Sequence, residues 1–294
     1  MSMKQNNHIK GWLYVLPALI ILGVFTLYPI YKSVVMAFYT DYDFFNDIVY
    51  AYGFDNFVFL WEDELFHRAL RNTFIYVLGV VPASIIISLA IAMALNTKIN
   101  FKPLFRMIYF IPFVTSVVAV SIVWRWIFHG DYGIMNYFLG LVGIDPIRWL
   151  TDPNWNMPAL IILSIWKGLG YNIIIFLAGL QMVNTQYYHA AQIDGARAWQ
   201  RFVNVTLPQL APMTFFISII SIINAFKVFD EVYALFNDRP GVANSALTVV
   251  YYIYNKFYGE WDFGVASAAA LVLFIIIFIF TMIQMYIGKK RVNY

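Results

Sequence analysis

Residues 263–288 read FGVASAAALVLFIIIFIFTMIQMYIG, a stretch of 26 residues without one charged side chain. A helix needs about 20 predominantly apolar residues to cross the hydrocarbon layer of a bilayer, so this stretch predicts a transmembrane helix. The whole chain of 294 residues has the same character, with 62% hydrophobic and 12% charged residues. Soluble domains carry about twice that charged fraction. The sequence therefore predicts an all-α integral membrane protein.

Five further apolar windows can each hold a span. The fourth contains one charge, Lys167, and the apolar part of the fifth begins near Met213. The first apolar run has no small-residue cleavage site, so we expect it to stay in the protein as a span. The predicted spans are residues 11–31, 72–97, 107–124, roughly 158–181, a fifth within 202–226, and 263–288.

The distribution of Lys and Arg predicts the orientation of these spans. With the N-terminus inside, the inner segments hold 10 basic residues in 58, and the outer segments hold 5 in 95. Loops rich in Lys and Arg stay in the cytoplasm. We therefore expect both ends of the chain to be cytoplasmic.

Composition argues against several functional classes. A net charge of +3 gives no reason to expect a nucleic-acid partner, and the absence of Cys removes disulfides and thiolate sites. The four His form no metal-binding motif, and no G-x-x-x-x-G-K-[ST] phosphate loop occurs. We therefore expect no catalytic residue, no metal ligand and no cofactor in this chain.

The predicted cytoplasmic segment 184–212 carries the most local information. It reads NTQYYHAAQIDGARAWQRFVNVTLPQLAP. Thr185 can cap a helix that begins at Gln186. Gly195 predicts the end of that helix, because glycine tolerates the left-handed backbone that a helix end often needs.

A second short helix is predicted from Ala196, with Trp199 and Phe202 on one face. Pro208 and Pro212 are predicted to end it and to start the fifth span. From the residues alone, this segment is equally well explained as a pair of amphipathic helices lying on the membrane surface.

The same segment resembles the signature loop of the membrane subunits of binding-protein-dependent, ATP-driven importers. That pattern is Glu-Ala-Ala, two residues, Asp-Gly-Ala, then Phe, an aliphatic residue, Leu-Pro and Pro. His189 stands where the family usually has Glu, and a histidine can make a contact pH-dependent. The matching residues are His189, Ala190, Ala191, Asp194, Gly195, Ala196, Phe202, Val205, Leu207, Pro208 and Pro212.

Shorter matches extend the resemblance over nearly the whole chain. The chain resembles the first of the two permeases in a carbohydrate importer, similar to the maltose and glycerol-phosphate systems. One departure lies after the fifth span, where the family often has Thr-Gly-Gly-Pro and this chain has Asn237-Asp238-Arg239-Pro240-Gly241. The resemblance implies the type I importer fold and a bacterial-type cell membrane location. It also implies three regions: an N-terminal span with an external segment (1–70), a five-helix transport core (71–287) and a cytoplasmic tail (288–294).

The resemblance further implies partners. They are a second homologous permease, two ATPase subunits that bind ATP and Mg²⁺, an extracytoplasmic solute-binding protein, membrane lipid and a small-molecule solute. The loop 184–212, here named the coupling loop, would dock on an ATPase subunit through His189 to Ala196.

A substrate path is predicted from polar residues at membrane depth, which are costly there and often functional. A sugar needs aromatic faces for its C–H surfaces and amides or charges for its hydroxyls. Lys227 and Asp230, three residues apart on one helix, are expected to pair. The candidates in spans four and five and before span six are Lys167, Tyr171, Asn172, Asn224, Lys227, Asp230 and Tyr252.

The predicted function is a permease subunit that forms the path for a sugar, an oligosaccharide or a sugar-like solute. The alternative is a self-contained, ion-coupled secondary transporter or channel that uses Lys167, Lys227 and Asp230. A membrane-embedded enzyme is a residual possibility, since the sequence offers no nucleophile or metal constellation.

Overall fold

The computed structural model describes residues 2–97 and 100–291 of the chain. The protein is mostly helical, as the apolar windows predicted. The elements, in chain order, are α1 (Ser2–Leu22), a π turn (Gly23–Leu27), α2 (Tyr28–Met36), β1 (Tyr39–Asp43), β2 (Ile48–Tyr52), α3 (Asp55–Glu62), α4 (Glu64–Asn96), α5 (Lys102–Val114), α6 (Val117–Ile127), α7 (Ile134–Leu141), α8 (Pro153–Met182), α9 (Thr185–Ile193), α10 (Ala198–Arg201), a π turn (Phe202–Thr206), α11 (Leu207–Gln209), α12 (Ala211–Phe226), α13 (Asp230–Leu235), a 3₁₀ turn (Val242–Asn244), α14 (Val249–Tyr254), a π turn (Asn255–Gly259) and α15 (Phe263–Arg291).

Four helices in the described part of the chain are long and apolar enough to cross a membrane. They are Gly11–Met36, Glu64–Asn96, Pro153–Met182 and Phe263–Lys289. Two bent helix pairs, at the places of the third and fifth predicted spans, raise the number to six if each pair is one span. The last three residues of the predicted tail, 292–294, lie outside the described residues.

The third predicted span is not one continuous helix. α5 and α6 meet at an angle of 103°. Thr115 and Ser116 between them have extended backbones, with ψ angles of 145° and 133°. Two extended residues interrupt the ladder of i to i−4 hydrogen bonds, so the chain changes direction here although the apolar composition continues.

The segment from Tyr39 to Tyr52 forms a β-hairpin, although the sequence predicted an all-α protein. β1 and β2 pair antiparallel. The turn between them is fastened by the Asp43 carboxylate, which accepts hydrogen bonds from the backbone N–H of Phe45 (2.9 Å) and from the side-chain amide of Asn46 (2.7 Å). Tyr and Thr in β1, and Ile, Val and Tyr in β2, favour this pairing.

The chain divides into two compact units. The first contains residues 2–64 with Ile253–Phe274. In it, the side-chain amide of Asn56 donates to the carbonyls of Ala37 (3.0 Å) and Tyr39 (2.9 Å), which fixes α3 beside the start of the hairpin. The division into regions 1–70, 71–287 and 288–294 stays a prediction.

The second unit contains Leu65–Tyr252 with residues 275–291. Its apolar core includes Ile173, Phe176 and Ile217, each almost fully buried. α5 packs directly on α8, and Gly170 permits the contact, because a Cβ there would lie 2.2 Å from the Tyr109 carbonyl oxygen. This close approach holds α8, the helix that carries Lys167, against α5.

Candidate functional site

A polar cavity of about 260 Å³ opens between α4, α5, α8, α12 and α13 of the second unit. We name it the core cavity. It unites four of the predicted path residues: Lys167, Tyr171 and Asn172 of α8 and Asn224 of α12. Glu231 of α13 also lines this cavity, and it was not among the predicted path residues.

Lys167 and Glu231 form an ion pair inside this cavity. Lys167 Nζ lies 3.1 Å from Glu231 Oε1, and the two side chains are 17% and 19% exposed. Because most of each side chain is withdrawn from water, the charge of either one depends on the other for compensation. The sequence offered one signal for this pair: a lysine within an apolar window needs a counter-charge, and Glu231 is one of the acids that follow the fifth span.

Aromatic and amide groups complete the core cavity. The ring of Tyr171 stacks on Phe113 of α5, with centroids 5.3 Å apart and planes inclined by 26°. Asn172 is 4% exposed, and Ser164 and Ser221 add hydroxyls to the lining. Ring faces suit the C–H surfaces of a sugar, and amides, hydroxyls and a charged pair suit its hydroxyl groups.

The other three predicted path residues do not line the core cavity. The expected Lys227–Asp230 pair is wrong, because α12 ends at Phe226 and a new helix starts at Asp230, so the two residues do not share a helical face. Both side chains are exposed. Tyr252 is buried and packs on Phe66, with ring centroids 5.4 Å apart.

The coupling loop begins with the helix that the sequence predicted. α9 is capped by Asn184, whose Oδ1 accepts from the backbone N–H of Gln186 at 2.9 Å, so the cap is one residue earlier than expected. Asparagine is a preferred capping residue, and its side chain here reaches the second residue of the helix. Gly195 has φ +76° and follows the end of the helix, as predicted.

The second half of the coupling loop differs from the prediction. Pro208 does not end a helix; it lies in α11, directly after the π turn Phe202–Thr206. A π turn widens the helix and can accommodate a residue that has no N–H to donate. The chain instead bends by 65° at Leu210, and Pro212 lies in the first turn of α12, where proline is favoured.

The coupling loop presents an exposed face. His189, Ala190, Asp194 and Gly195 are exposed, while Ala191 and Ala196 are half-buried. The same loop carries three large side chains with high exposed fractions, here named the apolar loop face: Tyr187 (51%), Ile193 (87%) and Trp199 (70%). The hydroxyls of Tyr188 and Thr206 lie 3.0 Å apart and connect α9 to the π turn. A braced, exposed apolar face is typical of a protein docking surface.

Among the described residues, no group of three His, Asp or Glu side chains could hold a metal ion.

Comparison with known proteins identifies the architecture. Residues 84–293 match the family of binding-protein-dependent transport system inner membrane components. The lactose transport system permease protein of Rhizobium radiobacter is 39% identical over 99% of this chain and 97% of its own length.

Two solved structures resemble the whole chain. A bacterial transporter that imports the acidic polysaccharide alginate has a chain of 25% identity and TM-score 0.83, with complete coverage of both chains. The alginate transporter in complex with its pentasaccharide-bound periplasmic protein matches with 25% identity and TM-score 0.82, over 99% of this chain and 98% of that one.

Proposed function

The chain belongs to the family of binding-protein-dependent transport system inner membrane components, and on this premise we propose that it forms one half of the path of an ATP-driven sugar importer. It is an inner-membrane permease subunit of the sugar-importing branch. The core cavity carries the proposal, because it places an ion pair, amides, hydroxyls and a stacked ring pair among otherwise apolar helices. Such groups at membrane depth are typical of a solute path.

Each bent helix pair counts as one span in this proposal, which gives six spans with both ends in the cytoplasm. The high density of Lys and Arg in the inner segments supports that orientation. The coupling loop then lies in the cytoplasm, and the segments 129–157 and 231–263 lie outside.

The proposed assembly contains a second permease, two ATPase subunits and a solute-binding protein outside the membrane. The sequence has no phosphate-loop motif, so ATP and Mg²⁺ are assigned to the ATPase subunits. A binding protein is supported by the family description and by the alginate transporter, whose structure includes a periplasmic protein. The apolar window of Gly11–Met36 has no buried residue and is assigned to lipid and to the second permease.

The coupling loop transmits the work of the ATPase in this mechanism. The apolar loop face and His189 dock on an ATPase subunit, and closure of the ATPase pair pulls α9. The π turn and the bend at Leu210 connect α9 to α12, whose Asn224 lines the core cavity. Movement of α9 thereby changes access to the cavity.

Gly195→Val tests the coupling assignment. Gly195 has open space at the position of a Cβ but a φ of +76°, so valine, a β-branched residue, strains the backbone there. Gly143→Val is the matched control, because Gly143 has φ +78° and open space in a different loop. In the complete importer reconstituted in proteoliposomes with radiolabelled lactose, we expect Gly195→Val to lose at least about tenfold in uptake and in sugar-stimulated ATP hydrolysis. Gly143→Val should retain both.

Three results would contradict the proposal. Unchanged uptake by Gly195→Val would remove the coupling role, and equal losses in both glycine variants would show a general effect of strain. Uptake by the isolated chain in liposomes under an ion gradient alone would favour a secondary transporter. Lactose is the first probe, because the sugar is not identified. If lactose is not taken up, a binding screen on the partner solute-binding protein selects the sugar, and the uptake assay is repeated with it.

A further inference from the structure

A second concave site lies in the same compact unit as the core cavity and has a different charge. Its volume is about 610 Å³, and it is bounded by the loop 236–244, by the last turn of α6 and by Leu150 and Thr151. We name it the loop cavity. Both charged side chains that line it, among the described residues, are arginines: Arg125 of α6 and Arg239 of the loop.

The loop that forms this cavity has an unusual backbone. Five of its residues have left-handed φ angles between 51° and 74°: Asn237, Asp238, Gly241, Ala243 and Asn244. Gly241 adopts such an angle without cost and Asn and Asp tolerate it, but Ala243 does not, so other contacts must hold the conformation there.

Side chains from two helices hold the loop in place. Asn156 of α8, fully buried, accepts hydrogen bonds from the Val242 N–H (2.8 Å) and the Ser245 hydroxyl (2.6 Å). Asn72 of α4 donates to the Asn244 carbonyl at 3.2 Å.

Arg68, also of α4, donates to the carbonyl of Ala243 at 3.0 Å. A strained loop with this many supports is preorganised, and preorganised polar cavities favour binding because little order has to be created when the ligand arrives.

The charges of the two cavities contrast. In the core cavity, Glu231 compensates Lys167. In the loop cavity, Arg125 donates to the Asn237 side-chain oxygen, which is neutral, and Arg239 is exposed. Asp238 is exposed as well and does not line the cavity. Within the described part of the chain, the lining of the loop cavity therefore holds two guanidinium charges and no carboxylate.

The remaining lining fits a sugar ring. Leu235, Phe236 and Val242 supply apolar surface, and Asn237 and Asn244 supply amides. Guanidinium groups bind carboxylates in a planar, two-point geometry. We propose that the loop cavity binds a sugar that carries an anionic group, with a uronic acid carboxylate placed at Arg125 and Arg239.

This inference rests on the proposed function, which supplies the sugar as the class of solute. It adds a second site on the route, one that attracts the acidic group. A connection between the sites exists in α13, because Glu231 at its start lines the core cavity and Leu235 at its end lines the loop cavity.

Galacturonate and galactose are the matched probes, because they differ only in a carboxylate against a hydroxymethyl group. Their dissociation constants are measured by calorimetry on the complete importer in nanodiscs without its binding protein, and acetate tests the carboxylate alone. We expect galacturonate to bind at least about tenfold more tightly than galactose or acetate. Its affinity should fall as NaCl rises from about 0.05 to about 0.5 M.

Arg239→Gln should weaken galacturonate binding by about tenfold or more, which corresponds to the loss of one charge-assisted hydrogen bond. Arg148→Gln is the control, since Arg148 is exposed, carries the same charge and does not line the cavity. The double variant Lys167→Met/Glu231→Gln removes the charges of the core cavity, and because neither residue lines the loop cavity it should weaken galacturonate binding less than Arg239→Gln does.

Equal affinities for galacturonate and galactose, or for galacturonate and acetate, would overturn the inference. Equal losses in Arg239→Gln and Arg148→Gln would show a general field effect, and a loss only in the double variant would place the ligand in the core cavity. Either result also overturns it. If galacturonate binding fails these tests but ATP-driven sugar uptake persists, the proposed function stands and only the loop-cavity inference falls. If ATP-driven sugar uptake is absent, the proposed function is contradicted, whatever the binding measurement gives.

Discussion

Lys167 Nζ and Glu231 Oε1 lie 3.1 Å apart although the two residues are separated by 64 positions in the chain. The pair joins α8 to α13 across the core cavity. A charge in such surroundings costs free energy unless it is paired, so each residue constrains the other.

Removal of one partner should therefore cost more stability than removal of both. We expect Lys167→Met and Glu231→Gln each to lower the free energy of unfolding by roughly 1–3 kcal/mol, a range reduced for the remaining exposure of both side chains. The double variant should recover part of this loss. Thermal unfolding of the purified complex, followed by tryptophan fluorescence, measures these differences.

Lys227→Met is the control for that series, because Lys227 is an exposed cation directly after the end of α12. It should change the midpoint of thermal unfolding little. Additive losses in the double variant would show that Lys167 and Glu231 do not interact.

Gly170 should tolerate no side chain. A Cβ there meets the Tyr109 carbonyl oxygen at 2.2 Å, so Gly170→Ala must push α5 away from α8. We expect a loss of about 1–3 kcal/mol, the usual cost of overpacking. Gly168→Ala, two residues earlier in the same helix with open space around it, should cost far less in the same unfolding assay. Similar midpoints for the two variants would mean that the packing of α5 on α8 is looser than described.

The hairpin turn should lose stability in acid. Hydrogen bonds from the Asn46 side chain, and then from the backbone of Asn46 and Phe45, lower the pKa of Asp43 below its ordinary value. Because the folded pKa is the lower one, the carboxylate stabilises the turn above the unfolded pKa of about 3.9, and this stabilisation is lost as the pH falls through the folded pKa.

Hydrogen exchange at the Phe45 and Asn46 amides, corrected for the intrinsic rate, measures this effect. Asp43→Asn should show faster exchange at neutral pH and a weaker dependence on pH. Asp41→Asn, in the same strand, serves as control and should behave as the parent chain. A pH profile unaltered by Asp43→Asn would remove the carboxylate from the account.

Local properties were predictable from the sequence. Long apolar windows located every long helix, because span length depends only on a continuous stretch of residues. Gly195 was placed correctly at the end of α9, because positive φ is a property of one residue and its neighbours. The short helix at the start of the coupling loop was predicted for the same reason, from residues within one segment.

Properties that depend on distant residues were not predictable. Nothing in the sequence near Lys167 points to Glu231 rather than Asp230, since the choice depends on where α12 ends and how α13 then turns. The same helix end explains why the Lys227–Asp230 pair was wrong. The bend at Thr115 and Ser116 was missed because apolar composition is the same on both sides of it.

The short helix α13 has a thermodynamic consequence. Glu231 and Leu235 are one helical turn apart, and a single turn closed by i to i−4 hydrogen bonds moves as a rigid piece. A displacement of α13 by a solute in one cavity must then be felt in the other. The resulting coupling free energy is reciprocal: whatever factor an occupant of the loop cavity imposes on affinity in the core cavity, an occupant of the core cavity returns.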